Sequence, residues 1–163
     1  MAFVNHWLRL AGLLLLSGCG TLAPVSPQET AAEMSMDTAR SAFGYNHYET
    51  AIESYSNALA YYQTAGNVRA TLTNLLNLAV VYRAMGQPAT AQACLQKMAA
   101  LSPGSAALAD LHREGYWLEA VLAVDAGRVE QARRALEKAR VGASAQLLPR
   151  ITELEMRMSA GRR

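Results

Sequence analysis

An all-α fold is what this sequence predicts: an α-solenoid of three helix pairs plus a C-terminal capping helix. Three observations predict it. The 163 residues are 52% hydrophobic but only 7% aromatic, and most of the apolar share is Ala and Leu. Those residues suit closely packed helices, whereas sheets favour β-branched and aromatic side chains. Part of the chain also matches itself twice, at offsets of 40 and 41 residues, a period that signals stacked helix pairs. Finally, a short turn centred on Gly or Asn precedes the aligned helix of each copy, as a left-handed residue closing the helix before it requires. The same composition excludes other classes. The chain is too apolar for a disordered tail. Two Cys and three His cannot build a disulfide scaffold or an ordinary zinc module, and a formal charge of +2 marks no nucleic-acid partner.

The first element is an address. Arg9 precedes the apolar run Leu10 to Leu16, too short for a permanent membrane span, and Ser17-Gly18-Cys19 follows. Leu16-Ser17-Gly18-Cys19 resembles the lipobox of bacterial lipoproteins. That resemblance implies that residues 1–18 are a signal peptide, that the Cys19 thiol carries a diacylglyceryl group, and that Cys19 becomes the first residue. Each buried methylene of the acyl chains contributes about 0.8 kcal/mol to membrane binding. Gly20, where Asp would signal inner-membrane retention, implies an outer-membrane lipoprotein facing the periplasm of the bacterial envelope. Residues 19–30, with Pro24, Ser26 and Pro27, read as a linker. Cys94 is then the only other thiol, read as a small buried side chain in an Ala-rich helix or as a site of intermolecular pairing.

The repeats occupy residues 31–143, at about 32–67, 72–105 and 107–141. Ala51, Tyr55 and Ala58 align with Ala91, Leu95 and Met98, and with Ala132, Leu136 and Ala139. Each set places a small residue, a large one four later and a third residue three further on along one helical face. Gly86 and Gly127 are placed just past a helix end, with Pro88 in the next first turn, and Asn46 takes the equivalent place in the first copy. The third leading helix reads as Ser105 to Asp125. Residues 144–163 close the chain: Leu147, Leu148, Ile151, Leu154 and Met158 mark an amphipathic helix, followed by a basic tail.

Leu75-x2-Leu78-Ala79-x2-Tyr82, followed by Ala91, Leu95, Met98 and Pro103, resembles the tetratricopeptide repeat. Ala65-Gly66-Asn67 and the Leu/Asn-rich stretch after it are similar to the longer repeats of kinesin-light-chain type. The outer copies depart from the pattern, with Ser35, Thr38 and Ala39 in the first and Glu119 in place of Leu in the third.

No catalytic constellation emerges, so no enzyme, metal or cofactor is expected. His6 belongs to the signal peptide, and His47 and His112 are isolated. Glu49 with Glu53, and Glu130 with Glu137, have helical spacing, which solvated surface usually explains. The tetratricopeptide resemblance implies instead a concave surface lined by the leading helices, comprising Met36, Arg40, Leu76, Asn77, Val80, Arg83, Trp117, Val121 and Val124. The basic and Asn residues of a carboxylate clamp are replaced there by Leu76, Val80, Trp117 and Val121. An apolar groove of this kind suits a partner's amphipathic helix or extended segment, with Trp117 as anchor. Packing against the capping helix or a neighbouring repeat would use the same apolar residues.

The chain is similar in plan to pilotin lipoproteins of type IV pili and to lipoproteins that dock peptidoglycan enzymes. Both imply an adaptor for an envelope assembly; the alternative is a lipoprotein that binds a non-protein ligand or envelope polymer. Residues 128–163 carry nine basic and four acidic groups, either an ordinary solvated end or a contact for lipid head groups, peptidoglycan or an acidic partner.

Overall fold

The computed structural model describes residues 26–160, all helix and turn with no strand among them. Seven α-helices follow one another: α1 (Pro27–Gly44), α2 (Tyr48–Thr64), α3 (Val68–Ala84), α4 (Pro88–Ala100), α5 (Ala109–Asp125), α6 (Val129–Arg140) and α7 (Leu147–Ala160). A single 3₁₀ turn, Ala106–Leu108, leads into α5. The fold is therefore all-α. The expected lipidation site at Cys19, the expected signal segment before it and Arg162-Arg163 lie outside the described residues.

Four connections share one backbone design. Tyr45–His47, Ala65–Asn67, Met85–Gln87 and Ala126–Arg128 each turn on a middle residue with positive φ: Asn46 at 61°, Gly66 at 68°, Gly86 at 73° and Gly127 at 70°. The third residue's N–H then donates five residues back, His47 to Ala42, Asn67 to Tyr62, Gln87 to Tyr82 and Arg128 to Ala123, at 2.8–2.9 Å. This is the Schellman closure, which satisfies carbonyls left over at a helix end. Three residues reverse the chain each time, so consecutive helices are forced to pack as neighbours.

Three helix starts differ from the sequence reading. α1 begins at Pro27, within the segment read as linker, because the Ser26 Oγ accepts the Glu29 N–H at 3.0 Å and Pro27 is pre-set for a first helical turn. α3 begins at Val68 rather than Leu72, because the Asn67 Oδ1 accepts the Ala70 N–H at 3.0 Å. The third leading helix is preceded by the 3₁₀ turn, so its α-helical part starts at Ala109.

The core follows the self-matching face. Ala51, Tyr55 and Ala58 on α2, Ala91, Leu95 and Met98 on α4, and Ala132, Leu136 and Ala139 on α6 are all buried. The alanines let α1, α3 and α5 approach, and the larger residues fill the space beside them. α1, α3 and α5 each pack against the helix that follows, and α3 also packs on α5. α5 is the most enclosed, touching α3, α4, α6 and α7. It buries Gly115, Leu118, Ala120, Val121, Leu122 and Ala123, a spread beyond one stripe that suits a central helix. α7 buries Leu147, Ile151, Leu154 and Met158, while Leu148, about 100° round the helix, is exposed. One core cluster runs from Ala39 to Met158, and Ala32, Ala58 and Tyr62 form a smaller one at the α1 end.

Candidate partner-binding groove

α3 and α5 run side by side in the same direction, fastened near both ends. Arg69 bonds Asp110 at 2.9 Å and the Ala107 carbonyl near their starts, and Arg83 bonds Asp125 at 2.8 Å near their finishes. The sequence offsets of these pairs, 41 and 42 residues, lie within two residues of the repeat offsets of 40 and 41. The Arg69 guanidinium holds the Asp110 carboxyl below its ordinary range, chiefly through their hydrogen bond. α1 meets α3 through Met36, whose Sδ lies 3.5 Å from the Asn74 Nδ2.

On α3, Leu76, Asn77 and Val80 are half-buried. Leu76 and Val80 rest on the core with their outer faces open. Met36 is half-buried beside the α1-end cluster, and Arg40 is exposed and paired with Asp37 on its own helix at 2.9 Å. Arg83 is tied to Asp125, and Val124 is half-buried. Two expected lining residues belong elsewhere. Val121 is only 3% exposed and packs within the core, so it lines no surface. Trp117 is covered from α7, the Arg150 guanidinium lying 3.7 Å from its ring centroid.

That cover is itself braced, since the Arg150 Nη1 donates to the Glu114 Oε2 at 2.8 Å. Glu114 and Trp117 stand three apart on α5, so the pair they form accepts one guanidinium across both. The Trp117 Nε1 is buried and finds no acceptor among the described residues. Sequence periodicity could not locate Arg150, because nothing in α7's pattern says which helix it will meet. Asn74 escaped notice as well. It is completely buried, donates to the Ala70 carbonyl at 2.9 Å, and leaves its Oδ1 without a partner, a cost of about 1–3 kcal/mol for an unsatisfied group.

The other chemistry-bearing residues are dispersed. His47, Glu49 and Glu53 are exposed, and Glu130 pairs with Arg133 at 3.4 Å. Cys94 is buried on α4, and burial pushes its thiol pKa up, away from the reactive thiolate. Among the described residues no three His, Cys, Asp or Glu side chains gather as metal ligands, and no helix is long and apolar enough to cross a membrane. Of the expected lining, Leu76, Asn77 and Val80 on α3 and Val124 on α5 are half-buried beside the core, and Met36 of α1 meets α3 at Asn74.

No protein-family model, curated protein or solved structure matches this chain. The class the structure itself defines is an all-α protein of sequentially paired helices.

Proposed function

We propose that this chain is a lipid-anchored protein of the bacterial envelope, whose tetratricopeptide-like helix pairs serve as an adaptor for an envelope assembly. The strip formed by Leu76, Asn77 and Val80 would receive an amphipathic helix or extended apolar segment of the partner protein. The observation that carries this reading is the parallel setting of α3 and α5, fastened at both ends, with half-buried apolar residues between the clamps. Parallel leading helices are what a solenoid of repeated pairs produces, and such surfaces bind peptides and helices. The Cys19 lipobox supports the envelope location, and pilus biogenesis and peptidoglycan machinery are the two kinds of assembly in view.

Crosslinking in native membranes followed by mass spectrometry tests the adaptor role. The wild-type chain should recover the same envelope protein in repeated trials. Val80→Lys should lose it while keeping its melting temperature, because a half-buried lysine can extend its stem along the surface and carry its charge to water. Absence of any reproducible partner, or undiminished capture by Val80→Lys, overturns the reading.

A further inference from the structure

A second concavity lies away from the α3 strip, between the loop that follows α4, the first half of α5 and the end of α6. It has a volume of about 270 Å³ and is walled by Pro103, Gly104, His112, Arg113, Tyr116 and Lys138, with Val141 and several alanines completing the lining. Taking about 30 Å³ for each water in the liquid, it accommodates roughly nine water-sized groups.

Its electrostatics are one-sided. Arg113 and Lys138 line it and no carboxylate does. Neither cation forms an ion pair among the described residues, whereas Asp110 and Glu114, the acids flanking this stretch of α5, are held by Arg69 and Arg150. Glu119 stands further along α5, beside a separate void of about 20 Å³ that shares His112 and Tyr116. Glu137, next to Lys138, lines a different cleft against α7. The Lys138 Nζ sits 5.2 Å from the Tyr116 ring centroid, which directs the ammonium to the cleft wall. The Arg113 guanidinium is carried against the turn at Gly142, next to the cleft residue Val141. The cleft also opens beside the first turn of α5, the positive end of that helix dipole.

We propose that this cleft binds a phosphate monoester, its phosphate held between Arg113 and Lys138 and its organic part against Tyr116 and the alanines. A phosphate carries about −1.5 to −2 charges and three strong acceptor oxygens at neutral pH, so it engages two cations at once, where a single carboxylate supplies one charge. The organic part is small, because the volume beyond the phosphate is small. The cleft belongs to a surface distinct from the α3 strip and does not depend on the adaptor reading.

The test is a titration of the full chain in neutral detergent, followed by amide NMR shifts at Gly104, Ser105 and Val141. Glycerol 3-phosphate, inorganic phosphate and acetate are the probes, with vesicles of phosphatidylglycerol or phosphatidylcholine as separate arms. Saturable shifts with glycerol 3-phosphate, and a midpoint at least tenfold above it for acetate, are the expected result. Arg113→Gln with Lys138→Gln should raise the glycerol 3-phosphate midpoint at least tenfold, and Val141→Glu, at a position 77% exposed, should abolish binding without unfolding the chain. Arg157→Gln, outside the cleft, should leave the midpoint unchanged. Absence of saturation, equal response to acetate, or equal weakening by Arg157→Gln overturns the proposal. Binding to phosphatidylglycerol vesicles but to neither soluble phosphate overturns the small-ligand assignment in favour of a membrane contact.

Discussion

Arg150 places its guanidinium over the Trp117 ring, and that contact changes what the tryptophan is for. A half-buried indole with a guanidinium of α7 over its ring is a fastening between α5 and α7. Trp117→Ala should therefore lower stability by about 2–4 kcal/mol, as loss of a large packed side chain does. Arg150→Ala should cost about 1 kcal/mol, the scale of a cation–π contact. Chemical denaturation of both variants measures this. Unchanged stability in Trp117→Ala together with lost partner capture would restore Trp117 as the groove anchor. Asp110 offers a second test at this scale. Its carboxyl is held below the ordinary value by Arg69, so the folded form binds its proton less readily than the unfolded form. The stabilisation is present above the unfolded carboxylate range, near pH 4, and is lost as pH falls through the lowered folded value. Melting temperatures from pH 7 to pH 2 should show wild type above Asp110→Asn at neutral pH, with the gap closing in acid. A gap independent of pH would mean that the pair contributes nothing through charge.

The helices are set by their ends more than by their middles. Asn46, Gly66, Gly86 and Gly127 all take positive φ in three-residue turns, and Gly86 isolates the cost of that geometry. A Cβ placed on Gly86 would meet nothing within 4 Å, so Gly86→Ala is a test of backbone conformation alone. It should destabilise by about 1–2 kcal/mol. Gly44 also has open space around a built Cβ but ends α1 without a positive φ. Gly44→Ala should therefore stabilise by roughly 0.5–1 kcal/mol, through the entropy of the unfolded chain. Urea unfolding midpoints should move in opposite directions for the two substitutions, and a shared direction would contradict the turn argument. The left-handed sites at Asn46, Gly86 and Gly127 were legible from sequence because the residue types and their place after an apolar periodic run carry the signal. The starts of α1 and α3 were less legible. Ser26 and Asn67 cap through hydrogen bonds to specific amides, and a cap looks like any other polar loop residue until the helix after it is known.

As a whole molecule the chain carries one core that spans all seven helices, and the proposed lipid anchor at Cys19 precedes it in sequence. If Cys19 is the anchor, as proposed, Cys19→Ala should move the protein from the membrane fraction to the soluble fraction, read by fractionation and immunoblotting. Persistent membrane association would rule out lipidation as the tether. The basic balance of residues 128–163 acquires a more local meaning, since Arg140 pairs with Glu155 and Arg150 with Glu114 while Lys138 faces a cleft with Arg113 from α5. Net charge along the sequence could not distinguish these, because pairing depends on which helix lies opposite.

The helical class, the buried faces of α2, α4 and α6 and the left-handed turns were written in the sequence, since periodicity and turn chemistry act over a few residues. Val121 and Trp117 show where that reach ends. Both have the spacing of a groove-lining face, yet Val121 is enclosed and Trp117 is covered. Amphipathic spacing says which side of a helix is apolar, and only the tertiary structure decided that Val121 would be enclosed in the core and that Trp117 would carry a guanidinium of α7 over its ring.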